Sequence, residues 1–332
     1  MAAARVGERW AGFRRSPFLP ATVLVLIIAA AAALFAGSYT FAMANPTPHQ
    51  LPLAVVGARD DDALLDEMER ASGTAFELHR WSYEEAVQAV EQQRVFGVVD
   101  VRGSTVRVDV ASAAGASVAQ VLQQAAVQVG ATKGMAVEVR DLKPLQRGDP
   151  RGLALFYVSL AAVVIGFIGA IQLSVHAQGL APVERIAFTA AYAVLGGFAI
   201  IAVVDWLLGA VRFPFAESWL ILALTMFTSG MVFTMFNTLM GRWAMVPTWG
   251  LLVLLGNPSS GGVVSWPLLP SPLGQVGGWL PPGASVSALH TAVYFGGSQH
   301  VAPYFVLAAW TLLSSAVFVV WRRRSPGGRP TD

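Results

Sequence analysis

The sequence predicts an α-helical integral membrane protein with six transmembrane helices in a one-plus-five arrangement. A small extracytoplasmic α/β domain follows the first helix, and re-entrant helices lie between the fifth and sixth spans. Three observations lead there. Of 332 residues, 55% are hydrophobic and only 13% are charged, where soluble domains carry roughly 25%. Fifteen of the twenty acidic residues fall between Asn45 and Pro150, so that stretch alone reads as water-soluble. From Trp243 to Trp321 there is no Asp, Glu, Lys or Arg, yet Gly256 to Pro303 contains sixteen Gly and Pro residues. Helix-broken, uncharged backbone survives at lipid depth only when packed on protein or lining a cavity, because unpaired N–H and C=O groups are costly in hydrocarbon.

Residues 1–17 carry Arg5, Arg9, Arg14 and Arg15 with Trp10 and Phe13 among them. This suits a short amphipathic helix in the cytoplasmic interface anchored by Trp10, Arg14 and Arg15, or else a plain positive-inside flank. Residues 18–44 are uncharged and exceed the ~20 apolar residues a bilayer needs, which makes them span one. Ala42-Met43-Ala44 resembles a signal-peptidase site, but the apolar run is longer than the roughly 7–15 residues of a signal core, so an uncleaved anchor is expected.

Residues 45–150 read as an α/β domain in the order β-α-β-α-β-β-α-β. Leu51–Val56, Phe76–Trp81, Val95–Val101, Thr105–Val110 and Met135–Leu142 have strand patterns, with helical segments at Asp61–Ala71, Tyr83–Gln93 and Val118–Val129. Ser82 is placed to cap the second helix. Asp60-Asp61-Asp62 fits a helix-start acid cluster complementing the dipole better than a cation site. His79 has no second ligand at metal spacing.

Residues 151–321 form a five-helix transmembrane domain. Gly152–Val175, Ile186–Val204, Ser218–Gly241 and Ala302–Trp321 are uncharged and long enough to be spans two, three, four and six. Trp243–Gly256 supplies only about 21 Å of helix before Asn257-Pro258, against a ~30 Å hydrocarbon core. Span five is therefore short, or it continues past a kink through Val263-Val264. Within the segment 257–301, Ser271–Leu280 and Ser285–Phe295 each fit a short re-entrant helix between Pro and Gly stops. Residues 322–332 are a basic tail. With six spans, the arginines before span one and after span six fall on the same side as Arg185 and Arg242, while the opposite short loops hold Arg212 alone. The positive-inside rule then places both termini in the cytoplasm of a bacterial plasma membrane and residues 45–150 outside.

Several polar residues interrupt the apolar runs. Asp205, near the end of span three, reads as a proton or cation relay or, preferably, as an interfacial acid pairing with Arg212 or water. Gln172 and Asn237 fit interhelical hydrogen bonds better than substrate contacts. Ala162, Gly166, Ala170 and Ser174 recur every four residues, a small-residue packing face. Met226, Met231, Met235 and Met240 fill core or, less simply, form an adaptable apolar surface. In the connection 176–186, Pro182, Glu184 and Arg185 offer a contact for a cytoplasmic motor, although Pro182 and Glu184 equally suit an ordinary helix start.

The chain lacks chemistry that would make it an enzyme. No cysteine is present, which removes disulfides and thiolate nucleophiles. Lys133 is followed by Gly134 and Lys143 by Pro144, so there is no Walker A loop. No His-Glu-x-x-His or Gly-x-Ser-x-Gly occurs either. No catalytic residue, metal ligand or cofactor is expected, and the basic pI reflects topology and does not point to nucleic acid as a partner.

One span, an exported domain and five further spans, with Gly256-Asn-Pro-Ser-Ser-Gly-Gly262, Leu268-Leu-Pro270, Trp279-Leu-Pro-Pro282 and Ala288–Gly297 between the last two, form a familiar layout. It resembles the ABC type-2 exporter permeases, particularly the branch similar to the phage-infection-protein membrane proteins. The resemblance implies an exit gate of re-entrant helices carrying Asn257, Gly261, Gly262, Pro270, Pro281 and Pro282. It also implies an amphipathic entry helix at Val6–Arg15, motor contact through His176–Arg185, and pairing of two six-span units. Leu289-His290 departs from the Leu-Arg often found there. The expected function is the permease subunit of an exporter, a homo- or heterodimer in the lipid bilayer, driven by a separate cytoplasmic ATPase and moving an apolar or amphipathic substrate outward. The alternative is a non-transporting scaffold or receptor, such as a secretion accessory or phage-contact protein, binding partners through residues 45–150. A proton-driven transporter would rest on Asp205 alone.

Overall fold

The computed structural model describes Ser16 and residues 18–43, 50–57, 62–73, 75–298 and 300–324. The interfacial anchor of Trp10, Arg14 and Arg15, together with Asp60 and Asp61, lies outside these. Helix α1 (Phe18–Met43) is apolar all round, and none of its most hydrophobic stretch is buried in the chain. Its Phe35 ring lies 6.2 Å from Trp249. A helix apolar on every face and uncovered by its own chain is built for lipid or a second polypeptide.

After α1 comes a small α/β unit in the expected order: β1 (Leu51–Val56), α2 (Asp62–Ser72), β2 (Phe76–Arg80), α3 (Tyr83–Glu91), β3 (Gly97–Arg102), β4 (Thr105–Val110), α4 (Ala116–Lys133) and β5 (Ala136–Asp141). The five strands make one sheet in the order β2-β1-β3-β4-β5. Strand β1 runs parallel to β2, with Leu51 opposite Phe76, and parallel to β3, with Ala54 opposite Val98. Strands β3 and β4 are antiparallel, and β4 and β5 are parallel. Leu51, Leu53 and Val55 of β1 meet α2 and α4 on one face, while Ala54 and Val98 meet Ala86, Ala89 and Val90 of α3 on the other. Strand β1 is therefore apolar on both faces.

Helix α3 starts as its sequence implies. The Ser82 hydroxyl accepts from the Glu85 N–H at 3.3 Å, and Glu85 Oε2 accepts from the Ser82 N–H at 2.9 Å, a reciprocal capping box. The Ser82 hydroxyl also donates to Glu85 Oε2 at 2.8 Å, and this bond, with that from the Ser82 N–H, favours the ionised form of Glu85 and holds its pKa below the usual value. In β4, the buried Asp109 carboxylate accepts from Tyr83 Oη at 2.6 Å and from Arg107 Nε at 3.2 Å. Asp62 pairs with Arg80, and His79 stacks on Trp81 with centroids 4.9 Å apart.

Four more helices are long and apolar enough to cross a membrane, giving five among the described residues. They are α5 (Ala154–His176), α6 (Pro182–Ile201, extended by a π-helical turn over Ala202–Leu207), α7 (Phe215–Met240) and α11 (Ala302–Arg324). The fifth span of the sequence reading is the short one: α8 (Met245–Trp249) runs into a π-helical stretch, Gly250–Gly256, and stops. It does not continue through Val263-Val264, since Val264 packs against the α/β core.

Helix α7 is the axis of the bundle, with 72% of its most apolar stretch buried. Glycines let its neighbours approach. A Cβ on Gly166 of α5 would meet the Met226 backbone, and a Cβ on Gly197 of α6 would meet the Ala223 nitrogen at 2.9 Å. Tyr192 Oη donates to the Gly166 carbonyl at 2.6 Å. The small-residue face of α5 is thus a helix-packing face, with Ala162, Gly166 and Ala170 buried. Met226, Met231 and Met235 fill core, while Met240 is exposed. Buried hydroxyls on α7 fold back on their own helix, as Thr225 does on Ile221 O at 2.8 Å and Thr234 on Gly230 O at 2.8 Å.

Replacing Tyr83 by Phe leaves the buried Asp109 with Arg107 alone and should lower stability by about 1–3 kcal/mol, the cost of an unsatisfied buried acceptor. Burial apart, the Asp109 hydrogen bond raises the Tyr83 pKa above 10.0. The Tyr83 contribution is therefore complete below pH 10.0 and fades as pH climbs through the raised folded value. Thermal unfolding of the detergent-solubilised chain between pH 8 and 11 checks both: the gap between wild type and Tyr83→Phe should narrow at the alkaline end (about one unit either side of the tyrosine pKa).

Candidate functional site: a broken helix under the α/β domain

The glycine- and proline-rich segment makes a hairpin that enters the bundle and returns. A 3-10 turn, Trp266–Leu268, is followed by α9 (Ser271–Val276), a second 3-10 turn, Gly277–Trp279, and α10 (Pro281–Tyr294). Its outer end is held by the α/β domain, because Leu268 is a member of that domain's core. The Ser265 N–H donates to Ser117 Oγ at 3.0 Å. Its deep end is held by the bundle. Trp310 Nε1 donates to the Trp279 carbonyl at 2.9 Å, and the Ser285 and Thr225 hydroxyls are 2.8 Å apart. Trp310 lies about 12 Å, and Thr225 about 15 Å, along their helices from the domain-side ends. The hairpin thus dips to the middle of the bundle. At the far end of α10, His290 Nδ1 donates to the Ala113 carbonyl at 3.1 Å, and Gln93 Nε2 lies 3.2 Å from Thr291 Oγ1.

Helices α8 and α10 approach mid-bundle from opposite ends. A Cβ on Gly256 would lie 2.6 Å from Pro282 Cγ, so the two half-helices touch at Gly256 and Pro282. Two helix ends inside an apolar bundle bring orphan backbone groups, and the local sequence disposes of them. Beyond Gly256, Ser259 donates its N–H at 3.3 Å and its hydroxyl at 2.7 Å to the Leu255 carbonyl. Ser260 does the same to Asn257 O at 3.1 and 2.7 Å. At the start of α10, Pro281 and Pro282 have no N–H to leave unpaired, and Leu280 N–H bonds to Gly277 O at 3.1 Å. Gly283 packs against the Gly277 backbone too closely for any side chain.

Of the sequence-predicted gate residues, Asn257 and Pro281 adjoin the Gly256–Pro282 contact in the chain, Gly261 and Gly262 line the vestibule, and Pro270 lies at the start of α9. Asn257 is 3% exposed, and its side chain lies against the Tyr39 hydroxyl of α1. Gly261 adopts a left-handed φ of 78°, which favours glycine. Gly262 is wedged between Phe156 and Val286, where a Cβ would meet them at 2.9 and 3.2 Å. Pro270 is buried, and its carbonyl accepts from Leu273 and Gly274.

Two spaces flank the junction. A polar vestibule of about 340 Å³ lies between the α/β domain and the hairpin, bordered by Gln93, Arg151, Ser260, Gln275, Ser287 and His300 among others. An apolar groove of about 630 Å³ runs between α1, α5 and the end of the π-helical stretch, lined by Phe35, Tyr39, Phe156, Leu160, Val164 and Val253 among others. Val263 borders both. The vestibule and the groove were not legible in the sequence, because each is lined by segments far apart in the chain. The polar side chains near the bends were the available signal.

The other predicted residues lie elsewhere. Pro182 opens α6, and Glu184 Oε2 accepts from the Ala181 N–H at 2.8 Å, the ordinary helix-start arrangement. Arg185 is buried, with Nη2 on the Ala177 carbonyl at 3.2 Å. Asp205 makes no ion pair with Arg212 among the described residues. Its Oδ2 accepts from the Phe213 N–H at 3.0 Å and so closes the turn between α6 and α7, while Gln146 bonds both main-chain groups of Arg212. The π-helical turn places Asp205 beside that loop. Gln172 and Asn237 form no side-chain hydrogen bond among the described residues, and Gln172 is on the bundle surface. A lone amide needs a facing partner, and neither helix presents one.

Comparison with protein-family models, with curated proteins and with solved structures returns no match.

Gly256→Ala should cost about 1–3 kcal/mol by overpacking onto Pro282. Gly250→Ala, in open space one and a half turns earlier, should be neutral or stabilise by up to about 1 kcal/mol. Thermal unfolding of the two variants side by side measures the difference.

Proposed function

We propose that this chain is the membrane permease subunit of an ABC type-2 exporter. It works as a homo- or heterodimer in a bacterial plasma membrane, driven by a separate cytoplasmic ATPase, and moves an apolar or amphipathic substrate outward. The observation that carries this reading is the contact of two half-helices at Gly256 and Pro282 in mid-bundle, with a polar space on one side and an apolar one on the other. Interrupted helices of this kind are a recurring device of transporters, because they place backbone bends at membrane depth where a pathway can open. Helix α8, too short to span alone, and α10 together supply the sixth crossing, with the rest of the hairpin re-entrant. Arg185, Arg242 and Arg322–Arg324 gather at the bundle end away from the α/β domain, which by the positive-inside rule faces the cytoplasm.

The scaffold reading finds support in β5, an edge strand whose residues are mostly exposed and open to pairing with a partner strand. Excising residues 45–150 would unroof the hairpin, since Leu268 belongs to the domain core. A charged residue on the edge, Val139→Lys, separates the two readings: partner binding through the strand is lost, and export is unchanged.

Affinity purification of the full chain from native membranes should recover an ATPase whose hydrolysis rises on reconstitution with the chain. Recovery of no ATPase from any mild detergent would overturn the permease reading. The absence of cysteine gives a clean topology test. In intact cells Gly297→Cys should react with an impermeant maleimide, whereas Gln178→Cys should react only after permeabilisation; the reverse pattern would invert the orientation.

A further inference from the structure

We infer that the vestibule and the groove together form one binding site for an anionic amphiphile, with its hydrocarbon chain in the groove and its phosphate-bearing headgroup in the vestibule. The two spaces adjoin at Val263, which borders both. Phe156, which lines the groove, packs directly on Gly262, which lines the vestibule, so one layer of residues separates the two spaces. Both volumes, about 630 and 340 Å³, fall in the range of about 300–1,000 Å³ typical of small-molecule sites. Their chemistry differs. The groove is bordered by aliphatic and aromatic side chains, with the hydroxyls of Tyr39 and Tyr157 as its polar side-chain groups. The vestibule is mixed: Ser, Gln and His side chains border it together with Val95, Phe96, Leu145 and Trp266, with Arg151 as its one permanent charge and no carboxylate among the described residues.

The sign of that charge selects the headgroup. Arg151 makes no ion pair among the described residues, and an arginine fork matches phosphate oxygens in geometry. The nearest acid, Asp149, is already committed: its two oxygens accept from Leu153 and Ala154 N–H at 3.0 and 2.8 Å and cap α5. At the groove wall, the Tyr39 side chain lies against the buried Asn257 amide. Calling the bound molecule cargo rests on the permease reading; the binding itself does not.

The test is native mass spectrometry of the detergent-purified full chain with dioleoyl phosphatidylglycerol, dioleoyl phosphatidylcholine or glycerol 1-phosphate. Phosphatidylglycerol should be retained about tenfold better than phosphatidylcholine, and Arg151→Gln should bring the two near parity. Ala161→Phe and Val164→Phe, two separate obstructions of the groove, should each abolish retention of either lipid while the protein still elutes as a monodisperse peak. Equal retention of both lipids, unaffected by Arg151→Gln, would mean annular lipid only and overturn the inference. So would displacement of phosphatidylglycerol by equimolar glycerol 1-phosphate, which would assign a phosphate site without a chain. Disulfide cross-linking of Tyr157→Cys between two copies, with no lipid retained, would give the groove to a second copy instead. Recovery of an ATPase without a phosphatidylglycerol adduct sinks this inference alone; an adduct without any ATPase leaves the site standing and sinks the permease reading.

Discussion

The satisfaction of main-chain hydrogen bonds at the bends of residues 256–283 governs the rest of this structure. An apolar bundle offers no water to a stray carbonyl or amide, so every bend at that depth has to supply its own partners. Ser259 and Ser260 do this for the carbonyls leaving α8, each with two donors. The paired prolines do it at the start of α10 by having no N–H to satisfy. Trp310 takes the carbonyl of Trp279. Remove these local solutions and the half-helices cannot end where they do.

The same segment explains why the α/β domain and the bundle are one object. Leu268 lies in the domain core, Ser265 bonds to Ser117, and His290 bonds to the main chain at Ala113. A change in the position of the hairpin must therefore be felt by the sheet above it. Interhelical polar bonds in membranes are individually small, about 0.6 kcal/mol on average. Stability in the bundle comes instead from close packing around α7, for which Gly166 and Gly197 leave room. The helices α1 and α11 remain largely uncovered, as expected for surfaces that meet lipid or another polypeptide.

Much of this was legible in the linear chain, and the limits are instructive. The eight-element order of the α/β unit followed from alternation and helical spacing, and the Ser82 cap from a serine three residues before Glu85. The bounds of Leu51–Val56 and Thr105–Val110 coincide with the observed strands because both are apolar or alternating runs between turn signals. The residues of the bend could be singled out because uncharged Gly and Pro clusters are rare in spans. The partners of Asp205 and Gln172 were not legible. The partner of a polar side chain depends on which neighbour faces it: Asp205 found a backbone amide in the next turn, and Gln172 found no side chain at all. The short α8 was visible as a deficit of length, but its ending against Pro282 was not.

What the amino-acid order alone determined is the set of elements: five long apolar helices, one short one, a five-stranded unit and a segment unable to stay straight. Periodicity, charge and backbone propensity act within a few residues and so are written locally. The tertiary structure alone decided that α8 and α10 meet head to head, that Arg151 and Ser260 share a chamber, and that Phe156 rests on Gly262. Those contacts join residues tens to hundreds of positions apart, and their selection depends on how the whole set of helices packs to exclude voids and unpaired polar groups, a quantity no local stretch contains.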